Sequence, residues 1–108
     1  MPNPQDRRNQ PRLPADRRGV LIVDDRELAC RIADASEGGV KVRLERAVAL
    51  PRTGTLVDVD QAQAAEATVA WQKGAEAGLK LDPRASVRGL VPSRLLAARE
   101  AWVRASRR

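Results

Sequence analysis

Two stretches of strict apolar/polar alternation, separated by a short polar turn, constrain this chain more than any other feature. Leu28, Cys30 and Ile32 alternate with Ala29, Arg31 and Ala33, and Val40, Val42 and Leu44 alternate with Lys41, Arg43 and Glu45. Period-2 patterning places one set of side chains on a single face, so each stretch reads as a half-buried strand and the pair as an antiparallel hairpin. Between them lies Asp34-Ala-Ser-Glu-Gly-Gly39, rich in turn-forming residues.

The remaining pattern extends this into an all-β domain. Val20-Leu-Ile-Val23, ended by Asp24-Asp25, reads as a strand before the hairpin. Pro51 and Gly54 punctuate the chain after it. Leu56–Val59, Ala67–Trp71 and Gly78–Leu81 follow as three further strands, with Lys73-Gly74 as a break. The alanine-rich stretch at 62–70 could pass for helix, but Thr68, Val69 and Trp71 favour strand. Six short strands at close spacing predict a closed or nearly closed antiparallel barrel. Beyond Pro83 the period changes: Val91, Leu95, Ala98 and Trp102 form one stripe, with Arg94, Arg99 and Arg104 off it. This predicts an amphipathic helix starting near Pro92 or Ser93, with Trp102 as its anchor on the barrel.

Residues 1–16 contain Pro2, Pro4, Pro11 and Pro14 and suit neither helix nor central strand. The expected organisation is an extended arginine-rich arm over 1–18, a barrel over 19–82, and a helix with a basic tail over 83–108. Charge follows the same division. The first 18 residues carry five arginines against two aspartates; 19–83 carry eight basic against eleven acidic groups; 84–108 carry seven arginines against Glu100. An acidic body with basic ends points to phosphate-bearing partners met by the termini.

Composition excludes several chemistries. The chain has no histidine and one cysteine, so Ser-His and Cys-His catalysis are absent and no metal site is expected. Cys30, within a strand, is expected to be a small buried hydrophobe. No apolar run is long enough to cross a bilayer, and the leader lacks the apolar core of a secretory signal. A cytoplasmic, non-enzymatic protein is expected. With two tryptophans and no Phe or Tyr, the core must be aliphatic.

Arg8 and Arg12 stand four apart in the leader, and Asp34, Ser36 and Gly39 make a DxSxxG turn between the second and third strands. An RxxxR pair followed at this distance by DxSxxG, with Ala67–Trp71 and Gly78–Leu81 as closing strands, resembles the PilZ domain family over residues 7–82. The resemblance implies a PilZ-like six-stranded barrel that binds cyclic di-GMP and uses no cofactor; the arm at 5–18 is expected to fold over the ligand and signal to a separate protein partner. One departure is Leu81, where many members end the last strand in an aromatic.

The residue types suit that ligand. An arginine fork can bond guanine O6 and N7 or grip phosphate, while Asp34 offers the acceptor that guanine N1–H and its amino group need. Ser36 can donate a hydroxyl, and Gly38 and Gly39 allow positive φ and close approach of backbone N–H groups to an anion. The resemblance also makes Arg7, just before the pair, a ligand contact favouring a stacked pair of ligands. Local readings stay open: Asp34 and Ser36 also fit a hairpin cap, the arginines a solvated arm, and Trp71 the core or rim more readily than a base-stacking platform. A nucleic-acid-binding module is the main alternative, opposed by the lack of aromatic surface. A PilZ-like domain acting only in protein interaction is the other.

Overall fold

The computed structural model describes residues 13–36 and 38–107. Its strands are β1 (Leu13–Val23), β2 (Arg26–Ala35), β3 (Gly39–Leu44), β4 (Thr53–Asp58), β5 (Gln63–Lys73), β6 (Glu76–Leu81) and the short β7 (Ala85–Ser86). The antiparallel order β4-β1-β2-β3-β6-β5 is closed by pairing of β4 with β5, so six strands form the expected barrel. β7 adds to the edge of β5 beyond β6. A 3-10 turn at Ser93–Leu95 then leads into α1 (Leu96–Ser106).

Turn chemistry sets the hairpins. Val23 opposes Arg26, leaving Asp24 and Asp25 as a two-residue loop with φ of 47° and 67°. Two successive positive φ values match the right-handed twist of the flanking strands, and aspartate tolerates them better than most residues. Lys73 opposes Glu76 across a second two-residue loop, where Gly74 takes φ 60°.

The barrel interior holds Leu21, Val23, Cys30, Ile32, Val42, Leu44, Leu56, Ala67, Ala77 and Leu79, with Leu81 packed at its margin. A second cluster lies outside β1 and β4, where Val20, Val57 and Val59 meet Ala98, Ala101 and Trp102 of α1. β1 therefore buries both faces, which explains why its run is uniformly apolar rather than alternating. Trp102 anchors the helix as expected, its Nε1–H donating to the Val59 carbonyl at 3.0 Å. The alanine-rich stretch is strand because Ala64 packs outside in the helix-side cluster while Ala67 packs inside. Tertiary packing overrides alanine's helical preference there.

The expected boundary after residue 18 needs correction. β1 begins at Leu13, so residues 13–18 are barrel rather than arm. Pro14 lies where β1 is paired with β2 alone, since β4 pairs with β1 only over Gly19–Ile22. Two opposing carboxylates fix the following arginines: Arg17 Nε lies 2.8 Å from Asp58, and Arg18 Nη2 lies 3.0 Å from Asp60. The expected arm over residues 1–12, including Arg7, Arg8 and Arg12, lies outside the described residues. At the other end, β7 is a short strand within the stretch expected to hold only helix and tail.

Cys30 is buried, and burial, followed by the nearby Asp58 charge, pushes its thiol up to about 12. Modification by an aromatic disulfide at pH 8 should be at least about a hundredfold slower in the folded protein than in guanidinium, since only the thiolate reacts. Comparable rates in the two states would contradict the buried position.

Candidate functional site

Asp34 reaches the surface because β2 is irregular. Cys30 and Ile32 point into the barrel, and simple alternation would send Asp34 after them. Instead Ile32 opposes Val42, Asp34 opposes Lys41, and Ala33 is an extra residue. This bulge reverses the alternation, placing Asp34 on the outer face while Ala35 opposes buried Val40. Lys41 Nζ lies 3.6 Å from Asp34 Oδ2, with both side chains partly exposed.

β5 carries a matching irregularity. Val69 opposes Leu79 and Trp71 opposes Gly78, so Ala70 is the extra residue. Trp71, which would otherwise continue the inward series, is turned outward and is 39% exposed. A Cβ built on Gly78 would collide with Trp71 Nε1, so the indole lies over the glycine. A large aromatic covering a cross-strand glycine is a recognised way to stabilise a bare stretch of sheet. Because Lys41 opposes Gly78 across β3 and β6, one row runs Asp34–Lys41–Gly78–Trp71 over four strands. Asp34, Ser36, Gly39, Lys41, Trp71 and Gly78 line a shallow cavity of about 160 Å³ over this row.

The turn beside the cavity is held by its own backbone. Ser36 N–H donates to the Gly39 carbonyl at 2.8 Å, and Ser36 Oγ–H donates to the same oxygen at 3.3 Å. The hydroxyl thus makes the hairpin-capping bond that the sequence left open. Leu81 N–H donates to the Gly38 carbonyl at 3.1 Å, tying the turn to β6. Packing against β6 gives Gly39 a structural reason to be glycine. It does not take positive φ; a Cβ there would lie 2.7 Å from the Leu79 carbonyl oxygen. Close approach of β6 imposes it.

Asp34, Ser36, Gly38 and Gly39 are therefore together at one end of the barrel. Arg7, Arg8 and Arg12 lie outside the described residues. Lys41 and Trp71 join the cavity without having been singled out as site residues. Lys41 looked like an ordinary outward strand residue, and the bulge that exposes Trp71 leaves no local mark. The Trp71/Gly78 pair flanking the Lys73-Gly74 turn was the one available signal.

The surface chemistry is mixed: a carboxylate acceptor, an ammonium donor and an aromatic face occupy one row. Two residues along β3, Arg43 holds the Glu76 carboxyl below its usual range by a hydrogen bond, with Lys41 adding a smaller electrostatic effect. Among the described residues no group of three or more His, Cys, Asp or Glu could hold a metal, and no helix is long and apolar enough to cross a membrane.

No curated protein matches this chain. The family model for the PilZ domain matches residues 6–92, a span that takes in the barrel and the DxSxxG turn. The chain thus belongs to the PilZ domain family, which as a class comprises ligand-binding receptors for cyclic di-GMP.

Proposed function

We propose that this protein is a cyclic di-GMP receptor whose ligand lies over the outward row at the β2–β3 turn. The observation that carries this reading is the cavity formed where two bulges turn Asp34 and Trp71 outward on the same face. Asp34 accepts the N1–H and amino group of one guanine, and the Trp71 ring offers a stacking surface. Ser36 turns its hydroxyl from the Gly39 carbonyl toward the ligand, while Gly38 and Gly39 keep the turn low enough for close approach.

The arginines complete the grip. Leu13 opposes Ala35 and Pro14 opposes Asp34, so the chain enters β1 beside the turn. Covalent geometry holds the Cα of Arg12 about 3.8 Å from that of Leu13, and keeps Arg8 within roughly 18 Å of it. Both are therefore within reach of a ligand seated on Asp34. Guanidinium forks bind guanine edges or phosphates, and Arg7 supplies a further cation suited to a stacked pair of ligands.

Signalling follows from closure. Residues 5–12 fold over the bound dinucleotide and present a new surface to a separate protein. Ordering this segment costs conformational entropy, which ligand contacts must exceed. The test is calorimetric titration of cyclic di-GMP into the full chain, followed by hydrogen exchange with and without ligand. Saturable binding, quenching of Trp71 emission in a Trp102→Phe variant, and slowed exchange at residues 5–12 are expected. Absence of binding to folded protein would refute the receptor, whereas binding with unchanged exchange would refute only the switch.

A further inference from the structure

Lys41 is the central charged group of the row and the barrel's own cation at the cavity. It stands between Asp34 on β2 and Gly78 on β6, one strand from each. Because the Trp71 indole folds back over Gly78, Lys41 has a carboxylate on one side and an aromatic ring on the other. Its side chain is 26% exposed and lines the cavity.

Its pairing with Asp34 is loose. At 3.6 Å the contact is an ion pair longer than a normal hydrogen bond. Partly exposed pairs of this kind contribute little to stability and exchange partners readily. Among the described residues no hydrogen bond satisfies any of the three ammonium donors. The flexible four-carbon stem lets the charge move by several ångströms without backbone change.

Resting on the receptor reading above, we propose that Lys41 is a phosphate-binding residue of this site, held on Asp34 until ligand arrives. A guanine edge at Asp34 brings N–H donors to the carboxylate that now faces Lys41. The same ligand carries phosphodiester anions, and an ammonium released at the centre of the row is placed to meet one. The carboxylate and the ammonium thus exchange each other for complementary groups of one ligand. Neither charge is left unpaired in either state, which keeps the cost of opening the site low. The barrel then contributes both an acceptor for the base and a cation for the phosphate, independently of the arginines before β1.

A purely structural cross-strand pair makes a different prediction, and salt dependence separates the two. Cyclic di-GMP is titrated into the full chain between 50 and 300 mM KCl, comparing the parent with Lys41→Gln and Lys41→Arg. Loss of one phosphate contact should raise Kd about tenfold in Lys41→Gln at moderate salt. It should also make the slope of log affinity against log salt shallower, because one screened charge–phosphate attraction is gone. Lys41→Arg should restore the slope and most of the affinity, with melting temperatures of all three within a few degrees. Parental affinity and slope in Lys41→Gln would overturn the assignment. So would weaker binding with an unchanged slope, which would make Lys41 only a positioning residue for Asp34. If the parent itself gives no heat while folded, the receptor reading fails first and the assignment falls with it.

Discussion

Replacing Asp34 with alanine is expected to weaken cyclic di-GMP binding by at least about a hundredfold while leaving the barrel folded. The carboxylate is the row's anionic acceptor, and guanine presents two adjacent N–H donors that arginine and lysine cannot satisfy. Two hydrogen bonds to a charged acceptor contribute together about 3 kcal/mol, which is roughly a hundredfold in Kd. The structural cost is small. Asp34 is partly exposed, and its Lys41 partner can turn to water, so the melting temperature should move by only a few degrees. Asp34→Asn is the informative companion, because the amide keeps one acceptor oxygen but sets an N–H against the ligand's donors. It should bind worse than the parent even though its shape is conserved. Calorimetry on both variants decides the matter. Near-parental affinity in Asp34→Ala would return Asp34 to a local role in the hairpin.

Gly39→Ala is expected to lower stability by about 2–3 kcal/mol, the upper end of the range for forcing an extra carbon into a packed site. The added Cβ would meet the Leu79 carbonyl oxygen at 2.7 Å, and that oxygen belongs to backbone in the β3–β6 ladder. Relief requires the strands to separate where Gly39 pairs with Lys80, at the mouth of the cavity. The Gly39 carbonyl also holds Ser36 through two hydrogen bonds, so displacement loosens the turn as well. For a domain near this size the loss corresponds to a fall in melting temperature on the order of 10 °C or more. Gly74→Ala is the control. Nothing lies within 4 Å of its added Cβ, and the only cost is holding alanine at φ 60°, about 1–2 kcal/mol. Thermal and denaturant unfolding of the pair separate steric from conformational causes. Equal losses in the two variants would contradict close approach as the reason for Gly39.

The hairpin at 28–44 could be read directly from its alternation, and the amphipathic stripe from Val91 to Trp102 foretold the helix and its anchor. The pairing of RxxxR with DxSxxG pointed to the family. The start of β1 was hidden because Pro14 and the arginines resemble a solvated leader. Only Asp58 and Asp60, more than forty residues away, show that Arg17 and Arg18 belong to the barrel. The mirrored bulges at Ala33 and Ala70 were equally invisible, since alanine carries no mark of an unpaired strand position.

The six barrel strands, the turn at 34–39 and the residue types in it were thus determined by the sequence itself. These depend on side-chain period and local turn chemistry, which act over a few residues. Which residues share the outward row, why Gly39 must lack a side chain, and the placing of Lys41 and Trp71 at one cavity were decided only by the tertiary structure. Closing the barrel sets β3 beside β6 and fixes the register across four strands. A single extra residue in a strand then reverses every side chain beyond it, so the composition of the site depends on partners distant in the chain.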